Sequence, residues 1–168
     1  MEIKIKLNNM KYRYDVYQMF NIYFPLDEIK FLDDGDYIVN ILDGKIEFKY
    51  GEYYNESKIL ENIKEDIKKL VFSSLKELTK EEYPWGILVG IRPSKIALKY
   101  LEEGKTEEEI IKIFEIKHLA SKKKAKLCIE IVKTEEKFVK TRRAPTVYLL
   151  SFGRGRGISS ETQRILCL

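Results

Sequence analysis

Histidine and cysteine are scarce in this chain, which contains one histidine and two cysteines among 168 residues. Cys128 and Cys167 are too far apart in sequence to suggest a disulfide framework or the ligand spacing of a metal site. The lone His118 excludes most histidine-based catalysis, and its place beside Lys117 is typical of an exposed helix end. We therefore expect no catalytic residue, no metal site and no cofactor site in this chain.

The sequence also lacks an apolar run long enough to span a bilayer. Its first six residues alternate between apolar and charged side chains, so they do not form the apolar region of a signal peptide. Hydrophobic residues make up 44% of the chain and aromatic residues 12%, which is typical of a globular protein. We expect a cytoplasmic protein with no membrane partner.

The positive charge of the chain lies almost entirely at its C-terminal end. Residues 1–140 contain 24 lysines and 2 arginines against 26 acidic residues, so their charges cancel. Residues 141–168 contain 5 arginines and one acidic residue, which accounts for the formal net charge of +4. A nucleic-acid-binding domain concentrates positive charge on its folded surface, so we do not expect the main body to bind nucleic acid.

Residues 1–83 alternate between strand-like and helix-like patterns, which predicts an α+β unit. Asp43-Gly44 between two alternating segments is a strong hairpin signal, and Asp33 to Asp36 is typical of a hairpin-side turn, since it does not match the calcium-loop pattern. The predicted elements are a strand at Glu2–Leu7, a helix at Tyr12–Phe24, a short strand at Glu28–Leu32, a hairpin of Tyr37–Leu42 with Lys45–Tyr50, and a long helix from Glu56 to about Lys80 capped by Asn55.

Residues 84–140 contain a motif stretch followed by helical periodicity. We predict a helix at Pro93–Glu103 ended by Gly104, a helix to about Phe114 that begins at a Thr106–Glu109 capping box, and a helix from Ser121 to about Lys140 that buries Cys128. The predicted fold class is therefore α+β: a small antiparallel sheet with packed helices, followed by a helical subdomain of about three helices.

Two lysine- or arginine-rich segments could bind anions. Lys122-Lys123-Lys124 fits either an anionic-ligand site or a solvated first helical turn, and the second is the commoner arrangement. Residues 153–157 form a Gly-Arg-Gly-Arg-Gly run of the kind found in RNA-binding tails. No lysine follows Lys140, and this change favours an out-of-frame or cloning-derived end over a native RNA-binding tail. We treat residues 141–168 as a separate, atypical segment.

The stretch from Pro84 to Lys95 differs from the lysine-rich segments around it. It contains the only tryptophan, Trp85, and one of the two arginines that precede residue 141. Because Pro93 disfavours the α region at Arg92 and suits a first helical turn, we predict an extended segment, Ile87–Ile91, that ends in a fixed arginine and turns into a helix. Arg92 could cap a backbone carbonyl at this junction.

Residues 85–95 resemble the W-G-I-L-x-G-I-R-P-[ST]-K segment of one enzyme family. That family is the HemZ-type radical-SAM coproporphyrinogen dehydrogenases, also called oxygen-independent coproporphyrinogen III oxidase 2. The resemblance extends in order of elements over about residues 1–148, and residues 146–148 are similar to the start of the strand that precedes the C-x-x-x-C-x-x-C run of such enzymes. That run is absent here, so the [4Fe–4S] cluster and S-adenosylmethionine are implied only for a full-length parent.

The resemblance implies an accessory N-terminal domain that is inactive alone, whereas the full-length enzyme oxidatively decarboxylates coproporphyrinogen III to protoporphyrinogen IX. It implies that Arg92 and Lys95 meet propionate carboxylates of a tetrapyrrole, or that the motif packs on the missing radical-SAM domain. Trp85 could stack on the tetrapyrrole or lie in the core, and Gly90 and Pro93 are further candidates for the same substrate or interdomain contact. The alternatives are a nucleic-acid-binding module that uses the basic tail and a non-catalytic interaction domain.

Overall fold

The computed structural model describes residues 2–60 and 62–141. The predicted tail is residues 141–168, and the predictions for residues 142–168 lie outside the described residues. The chain up to Glu136 forms one compact unit. Among the described helices, none combines the length and apolarity needed to cross a membrane.

The described residues contain five strands in one mixed sheet. Strand β1 lies between β2 and β3 and runs parallel to both, whereas β3, β4 and β5 are antiparallel neighbours in the order β2-β1-β3-β4-β5. This architecture confirms the α+β class, although the parallel pairing of β1 was not predicted. The strands are β1 (Ile3–Leu7), β2 (Ile29–Phe31), β3 (Tyr37–Leu42), β4 (Lys45–Tyr50) and β5 (Tyr53–Lys58).

Five α-helices accompany the sheet in the described part of the chain. The capping box is present, with the Thr106 hydroxyl accepting from the Glu109 amide and the Glu109 carboxylate accepting from the Thr106 amide. Three consecutive helices follow the motif stretch, as predicted. The helices are α1 (Arg13–Tyr23), α2 (Ile63–Thr79), α3 (Pro93–Glu102), α4 (Glu107–His118) and α5 (Lys122–Thr141).

The predicted helix start at Asn55 and Glu56 is wrong, because this segment forms the edge strand β5. A two-residue turn at Gly51-Glu52, with Gly51 at φ +55°, returns the chain onto β4. Asn55 therefore caps no helix. Its side-chain nitrogen Nδ2 donates instead to the Ser74 hydroxyl of α2 at 3.1 Å. The cap of α2 is Asn62, whose side chain accepts from a backbone amide of the first turn. Polar residues on an edge strand do not show the apolar alternation that identifies central strands.

Gly35 lies where the chain crosses over β1, which is why two parallel strands can flank a third with so short a connection. β2 pairs with the first half of β1 and β3 with the second half, so the intervening residues pass from one side of β1 to the other. A Cβ atom at Gly35 would lie 2.7 Å from the backbone nitrogen of Lys6 and 2.8 Å from the carbonyl carbon of Ile5. The predicted hairpin-side turn is therefore wrong, and the segment is a crossover that requires glycine.

Two apolar clusters fill the interior. The first is formed by inward residues of the sheet together with α1 and α2, and Phe20 and Phe48 are fully buried within it. The second is formed by α3, α4 and α5, where Phe114 and Ala125 are fully buried and Cys128 lies on the inner face, as predicted. Each large apolar side chain buried in this way contributes about 2 kcal/mol to folding. The motif stretch lies between the two clusters in sequence and contributes to both.

Candidate interaction surface around residues 84–95

The predicted extended segment Ile87–Ile91 is wrong, because the chain turns repeatedly between Tyr83 and Gly90. The amide of Gly86 donates to the Tyr83 carbonyl at 3.1 Å, and the amide of Leu88 donates to the Trp85 carbonyl at 3.2 Å. Gly86 and Gly90 both adopt left-handed conformations, at φ +55° and +71°. Positive φ angles at both glycines interrupt any strand, so the stretch is a turn-to-helix junction.

Two backbone hydrogen bonds connect this junction to the last residue of α4 and to the loop between α4 and α5. The amide of Ile87 donates to the carbonyl of His118 at 3.0 Å, and the amide of Ser121 donates to the carbonyl of Pro84 at 2.9 Å. Gly86 lies so close to this loop that a Cβ atom there would overlap the carbonyl oxygens of His118 and Leu119. Gly86 is therefore needed both for its dihedral angle and for the close approach of the two backbones.

Adjacent residues of the junction enter different cores. Ile87 is buried in the cluster of the sheet, and the next residue, Leu88, is buried in the cluster of the last three helices. Trp85 is half-buried against the second cluster, and Val89 is half-buried against the first. This alternation makes the junction a structural link between the two apolar clusters.

His118 is buried and not exposed as predicted, with only 8% of its surface accessible. Its ring lies edge-on to Phe114 with centroids 5.7 Å apart, and its Nε2 has no hydrogen-bond partner among the described residues. Burial lowers the pKa of His118; Glu65 opposes this effect, while Lys117 and Lys69 add to it. Burial therefore favours the neutral form of the imidazole, and the backbone carbonyl of the same residue accepts from the motif.

Trp85 is covered by a cation from α5. The Lys124 ammonium lies 4.9 Å from the centroid of the indole ring, and Lys124 is half-buried. A cation over a tryptophan face is attracted by the ring quadrupole, by about 0.5–1 kcal/mol at an exposed site. Lys122 and Lys123 are exposed, in keeping with a solvated first turn, whereas Lys124 contacts the motif.

Arg92 contacts a carboxylate, but that carboxylate belongs to its own chain. Its backbone is extended, at φ −86° and ψ 105°, and Pro93 begins α3, both as predicted. Arg92 Nε donates to the Ser94 hydroxyl at 3.0 Å, and Nη2 donates to a carboxylate oxygen of Glu135 on α5. No contact between the guanidinium and a backbone carbonyl is present within residues 2–60 and 62–141. Lys95 is exposed and has no ion pair in the same part of the chain.

An open apolar groove of about 440 Å³, here called the motif groove, runs along residues 83–93. Its lining contains Ile22 of α1 and a series of motif residues, and it contains no carboxylate. Ile91 lies on the groove with 54% of its surface exposed, although the neighbouring Leu88 is buried. Arg92 lies in sequence between the lining residues Ile91 and Pro93, but it is not itself part of the lining. The motif residues in the lining include Trp85, Leu88, Val89, Gly90 and Ile91.

The residues of this chain do not fit an iron–sulfur cluster. Three cysteine thiolates would be needed, and the sequence contains only two cysteines. Cys128 is buried on α5, and burial raises the pKa of its thiol. In the described part of the chain, no group of three histidine, cysteine, aspartate or glutamate residues is placed to hold a metal ion.

Three of the five predicted contact residues line the groove. They are Trp85, Gly90 and Pro93, whereas Arg92 and Lys95 are absent from the lining. The sequence interpretation missed Glu135 and the role of Lys124. Their spacing of eleven residues is close to three helical turns and places both on one side of α5, but the sequence does not indicate which segment that side contacts.

Comparisons of this chain with protein-family models, with curated proteins and with solved structures found no significant match.

Proposed function

We propose that this chain is the N-terminal accessory domain of a cytoplasmic HemZ-type radical-SAM enzyme and that its motif groove docks the catalytic domain. The observation that carries the proposal is the exposed Ile91 beside the open apolar groove. Seven of the eleven residues that carry the resemblance line this groove. The chemistry on coproporphyrinogen III belongs, in this proposal, to the cluster-binding domain.

The rigidity of the surface supports a docking role. The turn series is hydrogen-bonded through Pro84 and Ile87 to the end of α4 and the loop that follows it. Ile87 and Leu88 are buried in two different cores, so packing fixes the backbone just before the exposed Ile91. A preorganised apolar surface loses little conformational entropy when a partner binds, which favours an interface.

The shape of the groove favours a protein partner over an enclosed substrate. Ligand pockets generally have volumes of roughly 300–1,000 Å³ and bury most of the ligand. This groove is near the lower end of that range and is open. An apolar surface of this kind, with an exposed arginine next in sequence to two of its lining residues, is typical of the centre and rim of a protein interface.

Binding of a separately produced radical-SAM domain from a HemZ-type enzyme tests the proposal. We expect Ile91→Lys to weaken the complex by roughly 30-fold or more in isothermal titration calorimetry, since buried interface centres often contribute more than about 2 kcal/mol. Ile116→Lys is the matched control, because Ile116 is 75% exposed on α4 and does not line the motif groove.

Two results would overturn the proposal. One is the absence of any complex with the unmodified chain at high micromolar concentration. The other is equal weakening by Ile91→Lys and Ile116→Lys, which would indicate a nonspecific effect of added charge. Coproporphyrin III binding to this chain alone, with loss in Ile91→Lys and no domain complex, would replace domain docking with substrate docking.

A further inference from the structure

We propose that the partner docked at the motif groove presents a carboxylate to Arg92 and takes the place now held by Glu135. The inference rests on the proposed docking function and adds the chemistry of the contact. In the free chain, the Glu135 carboxylate pairs with the Arg92 guanidinium. In the complex, a carboxylate of the catalytic domain pairs with it instead.

The guanidinium of Arg92 is held in one orientation, but only some of its N–H donors form hydrogen bonds in the described part of the chain. Pro93 stiffens the backbone, and the Ser94 hydroxyl, which belongs to a buried residue, accepts from Nε at 3.0 Å. One terminal nitrogen, Nη2, contacts a single oxygen of Glu135. Guanidinium has five N–H donors and suits bidentate carboxylate binding, so the present contact leaves donors for which no acceptor lies in the described part of the chain.

Glu135 is an exchangeable partner for this arginine. The side chains of Arg92 and Glu135 are 55% and 46% exposed. An ion pair at such exposure shifts an equilibrium by at most about five-fold, so its loss is readily offset by a better contact. The released Glu135 carboxylate returns to water without crossing an apolar region, because it already lies at the surface.

The charge of Arg92 favours an acidic group on the partner. The groove lining contains no carboxylate; Lys124 covers the lining residue Trp85, and Glu81 accepts from the hydroxyl of the lining residue Tyr83 at 2.8 Å. If an apolar partner displaced Glu135 without supplying a negative charge, the Arg92 guanidinium would lose its one ion-pair partner in the described part of the chain. A partner carboxylate restores the balance and adds a charge-assisted hydrogen bond.

A second ion pair on the same helix provides a matched control. Lys133 of α5 pairs with Glu107 at the start of α4, and their side chains are 50% and 54% exposed. Neither residue lines the motif groove. Glu107→Gln and Glu135→Gln therefore remove equal charge from similar ion pairs, but only Glu135→Gln frees Arg92.

The experiment is a calorimetric titration of the radical-SAM domain into four forms of the full chain. We expect Glu135→Gln to bind about three-fold tighter than the unmodified chain, Arg92→Ala to bind about ten-fold weaker, and Glu107→Gln to bind unchanged. The double variant Arg92→Ala/Glu135→Gln should bind like Arg92→Ala alone, because the benefit of removing Glu135 exists only through Arg92.

The outcomes separate this inference from the proposed function. If the unmodified chain binds and Glu135→Gln is unchanged or weaker, the exchange is overturned and the docking surface stands. If Glu135→Gln and Glu107→Gln both tighten binding equally, the effect is one of net charge, and the exchange is again overturned. If no form of the chain binds the domain, both the docking function and the exchange fail.

Discussion

The amide nitrogen of Ile87 donates a 3.0 Å hydrogen bond to the carbonyl oxygen of His118. Ile87 belongs to the motif stretch, and His118 is the last residue of α4. The bond joins segments that are far apart in sequence, and it fixes the turn that precedes the exposed Ile91. The geometry of the groove therefore depends on two residues, Ile87 and His118, that do not line it.

Gly86→Ala tests this close packing. The substitution adds a Cβ at φ +55° and places it against the backbone of His118 and Leu119. We expect a loss of roughly 3 kcal/mol in the free energy of unfolding, from the left-handed conformation together with overpacking. Urea denaturation followed by Trp85 fluorescence gives the measurement.

Gly104→Ala is the control for that loss. Gly104 has φ +79°, but no atom lies within 4 Å of a Cβ built there. Only the conformational cost, about 1 kcal/mol, should appear. Equal losses for Gly86→Ala and Gly104→Ala would contradict the close approach at the motif.

Gly35→Ala tests the crossover of β1. The added Cβ would lie within 2.9 Å of three backbone atoms between Lys4 and Lys6, and backbone atoms of a paired strand do not move aside easily. We expect a loss of about 2–3 kcal/mol in urea denaturation. Gly51→Ala, at φ +55° with no atom within 4 Å, should lose only about 1 kcal/mol. A smaller loss at Gly35 than at Gly51 would refute the crossover geometry.

The burial of His118 should make the free energy of unfolding depend on pH near neutrality. Burial lowers its pKa in the folded chain, whereas the unfolded chain titrates near pH 6.5. The unfolded state therefore binds more protons just below pH 6.5, so the free energy of unfolding should fall as the pH decreases from 7 through 6. Glu65, Lys69 and Lys117 are the charged groups that act on the imidazole.

His118→Leu isolates the contribution of the imidazole to the pH dependence, because leucine fills the buried site with an apolar side chain that does not titrate. Chemical denaturation at pH 7.5, 6.5, 5.5 and 5.0 should give a flatter dependence for the variant than for the unmodified chain. Carboxyl groups such as Glu82, whose pKa is lowered by Lys76, lose their contribution only at lower pH. Parallel curves for the two proteins would exclude a buried neutral His118.

Local signals in the sequence were sufficient where structure depends on local chemistry. Asp43-Gly44 predicted the hairpin with the observed strand bounds, and Gly44 has φ +84°, as such a turn requires. Thr106 and Glu109 predicted a helix start because a capping box is formed by residues three apart. Pro93 predicted the start of α3 for the same local reason.

The remaining features depend on contacts between distant residues. The need for glycine at position 35 comes from its close approach to β1, which is distant in sequence. Asn55 has the residue type of a helix cap, but its pairing with Phe48 places it in a strand. The burial of His118 follows from the packing of α4, not from its lysine neighbour. At the motif, Trp85, Gly90, Arg92 and Pro93 could be selected from sequence, whereas the partner of Arg92 depends on how α5 packs.

The most direct test of the docking surface is amide hydrogen exchange on this chain with and without the radical-SAM domain. In the described structure, the amides of Gly90 and Ile91 have no hydrogen-bond acceptor, whereas that of Ile87 donates to His118. We predict that the domain slows exchange at Gly90 and Ile91 and leaves Ile87 almost unchanged as an internal reference. Protection confined to another surface, such as the outer edge of β5, with Gly90 and Ile91 unaffected, would contradict the account.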